Sequence, residues 1–138
     1  MREIIKERLE TDPTMQGLLT GGVWATDEIS RQETPEAFDV NGEILPCALV
    51  ALSSEAAAGP YVEAGALSAR LHVALYFYQR RGYDVIDQAM ARALVLLHRE
   101  KLESGVWEVA WTDDVLDQKD DALGCSLGMS RYMVTRMK

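Results

Sequence analysis

The stretch Ala69-Arg70-Leu71-His72-Val73-Ala74-Leu75-Tyr76-Phe77-Tyr78 decides the fold. Leu71, Val73, Leu75 and Phe77 alternate with Arg70, His72, Ala74 and Tyr76, the period of two that sends successive strand side chains to opposite faces of a sheet. One face is strongly apolar and has to be buried. The other, carrying Tyr76 and Tyr78, is amphipathic.

Downstream, Gln79-Arg80-Arg81-Gly82 closes the strand. Ile86, Met90, Ala93, Leu94 and Leu97 then recur at helical spacing, with Asp84 placed to cap the helix start. His98, Arg99 and Lys101 follow the last turn, where the helix dipole favours positive charge. Upstream, Ile44 to Leu52 is a nearly continuous apolar run and reads as a strand, with Pro46 near its start or on an edge because proline donates no ladder hydrogen bond. Residues 53–68 are small and weakly polar around Gly59-Pro60, and suit either a mobile loop or the tip of a protruding hairpin.

At the N-terminus, Ile4, Ile5 and Leu9 mark a short amphipathic helix. Asp12-Pro13 fits an N-cap followed by proline at the first helical position, and Met15, Leu18 and Leu19 give a second helix before Gly21-Gly22. Residues 23–43 are polar and irregular, punctuated by Thr34-Pro35, a cap for one helical turn, and by Asn41-Gly42. Val106 to Trp111 and Cys125 to Met137 read as two more strands, joined by an acidic loop. The expected fold is α+β: a mainly antiparallel sheet of about four strands, one long helix on a face and short N-terminal helices, in a single domain spanning residues 1–138.

The 138 residues are 48% hydrophobic and 26% charged, which suits one globular core and argues against disorder. Cys47 and Cys125 lie in apolar runs without C-x-x-C spacing, so buried free thiols are expected. No apolar stretch reaches 18 residues and the first eight residues alternate charges, which predicts neither a membrane span nor a signal peptide and places the protein in the cytoplasm where it is made. A net charge of −8 opposes direct nucleic-acid binding, which depends on Lys and Arg neutralising phosphates. Half of that excess lies in Thr112 to Gly124, which holds five aspartates (Asp113, Asp114, Asp117, Asp120 and Asp121) and one lysine.

These aspartates are the sole cluster suited to a hard cation, but Val115 and Gln118 break the alternation and glycine position a calcium loop needs. A solvated turn or a contact for a basic partner fits better, and no metal or cofactor is expected. His72 lies mid-strand and His98 at a helix end, with no nucleophile and carboxylate arranged around either, and Gly21-Gly22 lacks the lysine of a phosphate loop. No catalytic residue is assigned and the chain is expected not to be an enzyme. Arg80 and Arg81 leave the sheet on a rigid strand end, where guanidinium groups can grip carboxylates. They suit either a solvated turn or a head-to-tail contact with the aspartates of a neighbouring copy. Tyr76, Tyr78 and one or more of Trp24, Trp107 and Trp111 are further candidate interface anchors, since aromatic groups bury large areas, with core packing the alternative for each tryptophan.

Asp12-Pro13 followed by Gly21-Gly22-Val23-Trp24, the strand Leu71 to Phe77, the helix from Asp84, Val106-Trp107-Glu108 and the terminal Ser130-Arg131-Tyr132-Met133-Val134 together resemble, over nearly the whole chain, the phage tail-terminator or tail-completion proteins. That family is marked by element order and hydrophobic pattern more than by invariant residues. The resemblance implies a virion subunit at the junction of tail and neck, assembled in the host cytoplasm. It would form a ring with copies of itself, usually a hexamer, that caps the tail tube protein and faces the head-tail connector protein. Another head-tail connector of the neck is the nearest alternative. A cytosolic adaptor and a small metal-dependent enzyme using the Asp113–Asp121 segment belong to different classes.

Overall fold

The computed structural model describes residues 1–58, 68–104 and 106–137, apart from the side chain of Trp107. The elements run α1 (Arg2–Glu10), α2 (Pro13–Leu18), β1 (Val23–Trp24), a single 3-10 turn at Pro35–Ala37, β2 (Cys47–Ala57), β3 (Ser68–Gln79), α3 (Asp84–Leu97), β4 (Val106–Asp120) and β5 (Cys125–Met137). The five strands form one sheet in the order β1-β2-β3-β5-β4.

The strand of Leu71 to Phe77 sits at the centre of this sheet, paired antiparallel with β2 on one side and β5 on the other. Its apolar residues, with Ala48, Val50, Tyr132 and Val134, face α1, α2 and α3, whose inward residues include Ile5, Leu9, Met15, Ile86, Met90 and Leu97. Three helices therefore share the layer that was expected to hold one long helix; α3, with 14 residues, is the longest. Close approach of α3 depends on Gly128, where an added Cβ would lie 2.6 Å from Ile86 Cγ2 and 3.0 Å from Met90 Sδ.

Two expectations about the sheet are corrected. It has five strands and is mixed, because the short β1 pairs parallel with β2 at Val23 and Trp24. Parallel neighbours need a crossover connection, and residues 25–46 supply it by passing over the second face. There Ile29, Ala37 and Ile44 cover Cys47, Leu49, Tyr78 and Cys125 in a smaller core. Second, the acidic segment is not a loop. β4 continues through it to Asp120, pairing Asp113 with Arg131, Asp114 with Ser130 and Asp120 with Cys125, and breaks register beside Thr112 and again between Val115 and Gln118. Charge along the sequence suggested solvent, whereas an edge strand satisfies its backbone on one side and can carry charge on the other.

β2 runs on past Leu52 and pairs to Ala57, so residues 53–57 and 68 belong to a hairpin. Residues 59–67, on which the choice between loop and arm rests, lie outside the described residues.

Local capping agrees with sequence in one place and differs in another. Asp12 caps α2 as expected, accepting the Met15 N–H at 3.0 Å. At α3 the cap is Gln79, not Asp84: its Oε1 accepts the N–H groups of Val85 (3.0 Å) and Ile86 (3.2 Å), and its Nε2 donates to Arg81 O and to Asp84. His98 likewise does more than complement a dipole, since its Nδ1 accepts the backbone N–H of Trp111 at 3.0 Å and ties α3 to β4.

Candidate functional site

The sequence-selected residues fall into three places. At one end of the sheet, Arg80 and Arg81 follow β3, and Asp120 and Asp121 follow from β4. Together with Lys119 and Tyr83 they line one open groove of about 410 Å³. The arginines and the last aspartates are thus neighbours within one chain, which the sequence could not reveal. Arg80 is already paired with Glu43 at 2.5 Å, and Asp120 accepts the Leu123 N–H at 2.9 Å.

Along the outer edge, Asp113 is held by a two-pronged contact from Arg131 across the strands, which lowers its pKa. Asp114 accepts from the Ser130 hydroxyl at 2.7 Å and the Trp111 indole N–H at 3.0 Å. Asp117 sits at the second register break with a left-handed backbone, φ 54°. Leu116 O and Gln118 O are taken by the side chains of Gln118 and Tyr83. Bulges, charge and capped carbonyls make this edge a poor template for another strand. Among the described residues no group of three His, Cys, Asp or Glu is placed to hold a metal ion.

On the second sheet face, Tyr78 is only 6% exposed beneath the crossover, where burial raises its pKa, so it belongs to the small core. Tyr76 is half-buried at the margin of that cover. Cys47 and Cys125 are free thiols in the same cluster, pushed up to about 12 and about 11 by burial. Beyond the cover, His72, Ser54, Asp113 and Arg131 border a shallow depression of about 330 Å³.

Sequence reasoning missed the exposure of Leu94 (37%), Val95 (64%) and Leu116 (56%) on α3 and β4, whereas Trp111 (41%), a candidate anchor from the sequence, is exposed. Leu94 read as core from its spacing, and Leu116 was masked by the aspartates around it. The two ends of α3 are bonded to β4 through Tyr83 at Gln118, His98 at Trp111 and Arg99 N at Val109 O (2.7 Å). Trp24 is partly buried, its indole N–H on Gly21 O at 2.8 Å.

No family model matches the chain, and no curated protein matches it. Among solved structures, the fold aligns over 100% of this chain with 95% of a chain in the virion of a native gene transfer agent (GTA) particle, at a TM-score of 0.71 and 11% sequence identity. At that identity the likeness is one of fold.

Proposed function

We propose that this chain is a structural virion protein of the tail-terminator type: a subunit that closes into a ring with its own copies, caps the tail tube and meets the head connector, with no catalytic step of its own. The observation that carries the reading is the end-to-end correspondence of its fold with a chain of a gene transfer agent virion. It is supported by the element order that resembles tail-completion proteins, and by charged groups engaged in strand-to-strand and turn contacts, as at Asp113, Asp114 and Asp120. Arg80, Arg81, Asp114, Asp117 and Asp121 are the sequence-selected residues most exposed for contact with other subunits, and Tyr76 is half-buried.

Electron microscopy and native mass measurement of the full chain, alone and with purified tail tubes, test this. Closed rings that bind tube ends and stop their elongation are expected. Binding to the connector with indifference to tube ends would move the protein to the neck. A chain that stays solitary and ignores both would overturn the reading.

A further inference from the structure

We infer that His98 is a pH-sensitive clasp on the outer edge of β4: neutral, it covers the edge at Trp111, and protonated it lets that edge go. The inference goes beyond the assembly role proposed above and does not depend on it.

β4 is the last strand of the sheet, so its outward backbone groups have no neighbouring strand to bond. At Val109 and Trp111 the end of α3 supplies the partners instead. Arg99 N–H donates to Val109 O at 2.7 Å, and His98 Nδ1 accepts the Trp111 N–H at 3.0 Å. A donor and an acceptor serving two positions two residues apart are what a paired strand would offer. Arg99 takes a left-handed backbone, φ 64°, in placing its N–H there, a conformation uncommon outside glycine.

The two halves of the clasp differ in chemistry. The Arg99 half is backbone and does not titrate. On the other side the Trp111 N–H can only donate, so Nδ1 has to present its lone pair while Nε2 carries the proton. A proton added at Nδ1 turns the acceptor into a donor, and two N–H groups then face each other with no bond between them. Imidazole makes this change between pH 5 and 8.

The charged groups on the surrounding elements keep their state through that interval. Arg99, Lys101 and Glu103 follow His98 in the chain. Arg8 of α1 donates to Leu96 O and pairs with Glu100 at 3.5 Å. On β4, Asp113 is held by Arg131, and Asp114 accepts from the Trp111 indole N–H. Carboxylates ordinarily lose their protons near pH 4, and lysine and arginine hold theirs past pH 10. His72, the other histidine, lies on β3, two strands from β4 in the sheet. Other guards on this edge, the register breaks and the Tyr83 hydroxyl on Gln118 O, do not titrate in this interval either. Acidification therefore uncovers one edge donor, at Trp111 beside the first register break, and a bare edge N–H is a template for strand pairing.

Hydrogen exchange of the full chain, resolved to the Trp111 amide and corrected for the pH dependence of an unprotected amide, tests the clasp. Protection at Trp111 should fall about tenfold from pH 8 to pH 5, the effect of losing one hydrogen bond. The fall should vanish in His98→Gln, which does not titrate, and persist in His72→Gln. His98→Ala should show the low protection at both pH values. Equal wild-type protection at pH 8 and pH 5 would overturn the inference. So would a pH dependence that survives in His98→Gln, or an amide in His98→Ala as protected as wild type at pH 8.

Discussion

Two polar side chains hold helices where the apolar pattern alone would leave them loose. Gln79 is 8% exposed and satisfies two of the free N–H groups at the start of α3 while binding Arg81 O. Replacing it with alanine leaves those donors without their acceptor, so Gln79→Ala should lower stability by about 1–2 kcal/mol, the upper range for loss of a cap, read as a lower denaturation midpoint with unchanged slope. Asp12 accepts two hydrogen bonds from Arg92 at 2.7 and 2.9 Å besides capping α2. The Arg92 contact is the main cause that brings its carboxyl down from 3.8 to about 2. A carboxyl more acidic folded than unfolded stabilises the fold fully above its unfolded value and loses that effect as pH falls toward the folded one. The pair should therefore contribute at pH 5 and fade between about pH 4 and 2. Asp12→Asn keeps a capping oxygen but removes the charge: its melting temperature should be lower than wild type at pH 6, and the gap should close near pH 2. A gap independent of pH would sink this account. Tyr132 is the converse case, since its buried hydroxyl finds no partner among the described residues. An unpaired buried polar group costs stability, so Tyr132→Phe should leave the melting temperature unchanged or raise it.

At the scale of elements, β3 was readable because its two faces meet two different environments, helices on one and the crossover on the other, and its alternation records both. α2 was readable because its cap lies next to it in sequence. Of β4 only Val106 to Trp111 was, because the outer half of an edge strand is selected by hydrogen bonding to β5 and by exposure, and its aspartates look the same in a loop. β1 escaped for a different reason: two residues in a parallel pair carry no period. The cap of α3 was assigned to Asp84 by proximity, while the acceptor comes from the end of the preceding strand. The site suffered similarly: the arginines and aspartates were legible as residues, but not their meeting in one groove, nor the exposure of Leu116. Gly128 shows how tightly the helix and sheet are fitted. Valine there would collide with branched Ile86 as well as flexible Met90, and overpacking of this kind costs about 1–3 kcal/mol. Gly128→Val should therefore lower the unfolding midpoint accordingly, while Gly124→Ala, at φ 63° with open space around it, should cost less and through backbone strain alone.

For the whole molecule, the sheet has two unequal covers. The helical layer closes over a long core from Ile5 to Val134, whereas the crossover covers Cys47, Leu49, Tyr78 and Cys125 with mostly irregular chain. Fewer apolar contacts and little regular hydrogen bonding mean that the crossover should open at lower free energy than the whole fold. The free thiols report this directly, because both belong to the smaller core and burial keeps them protonated, at about 12 for Cys47 and about 11 for Cys125. Only the thiolate attacks a labelling reagent, so the closed protein should be inert at pH 8 and each modification should mark an opening. Labelling in low denaturant should proceed faster than global unfolding allows, before helical circular dichroism changes. If it instead follows the helical signal at every denaturant concentration, the two covers open as one unit and the sheet has no weaker side. A weaker side would place the adaptable surface of the subunit at the crossover and leave the helical face as its rigid one.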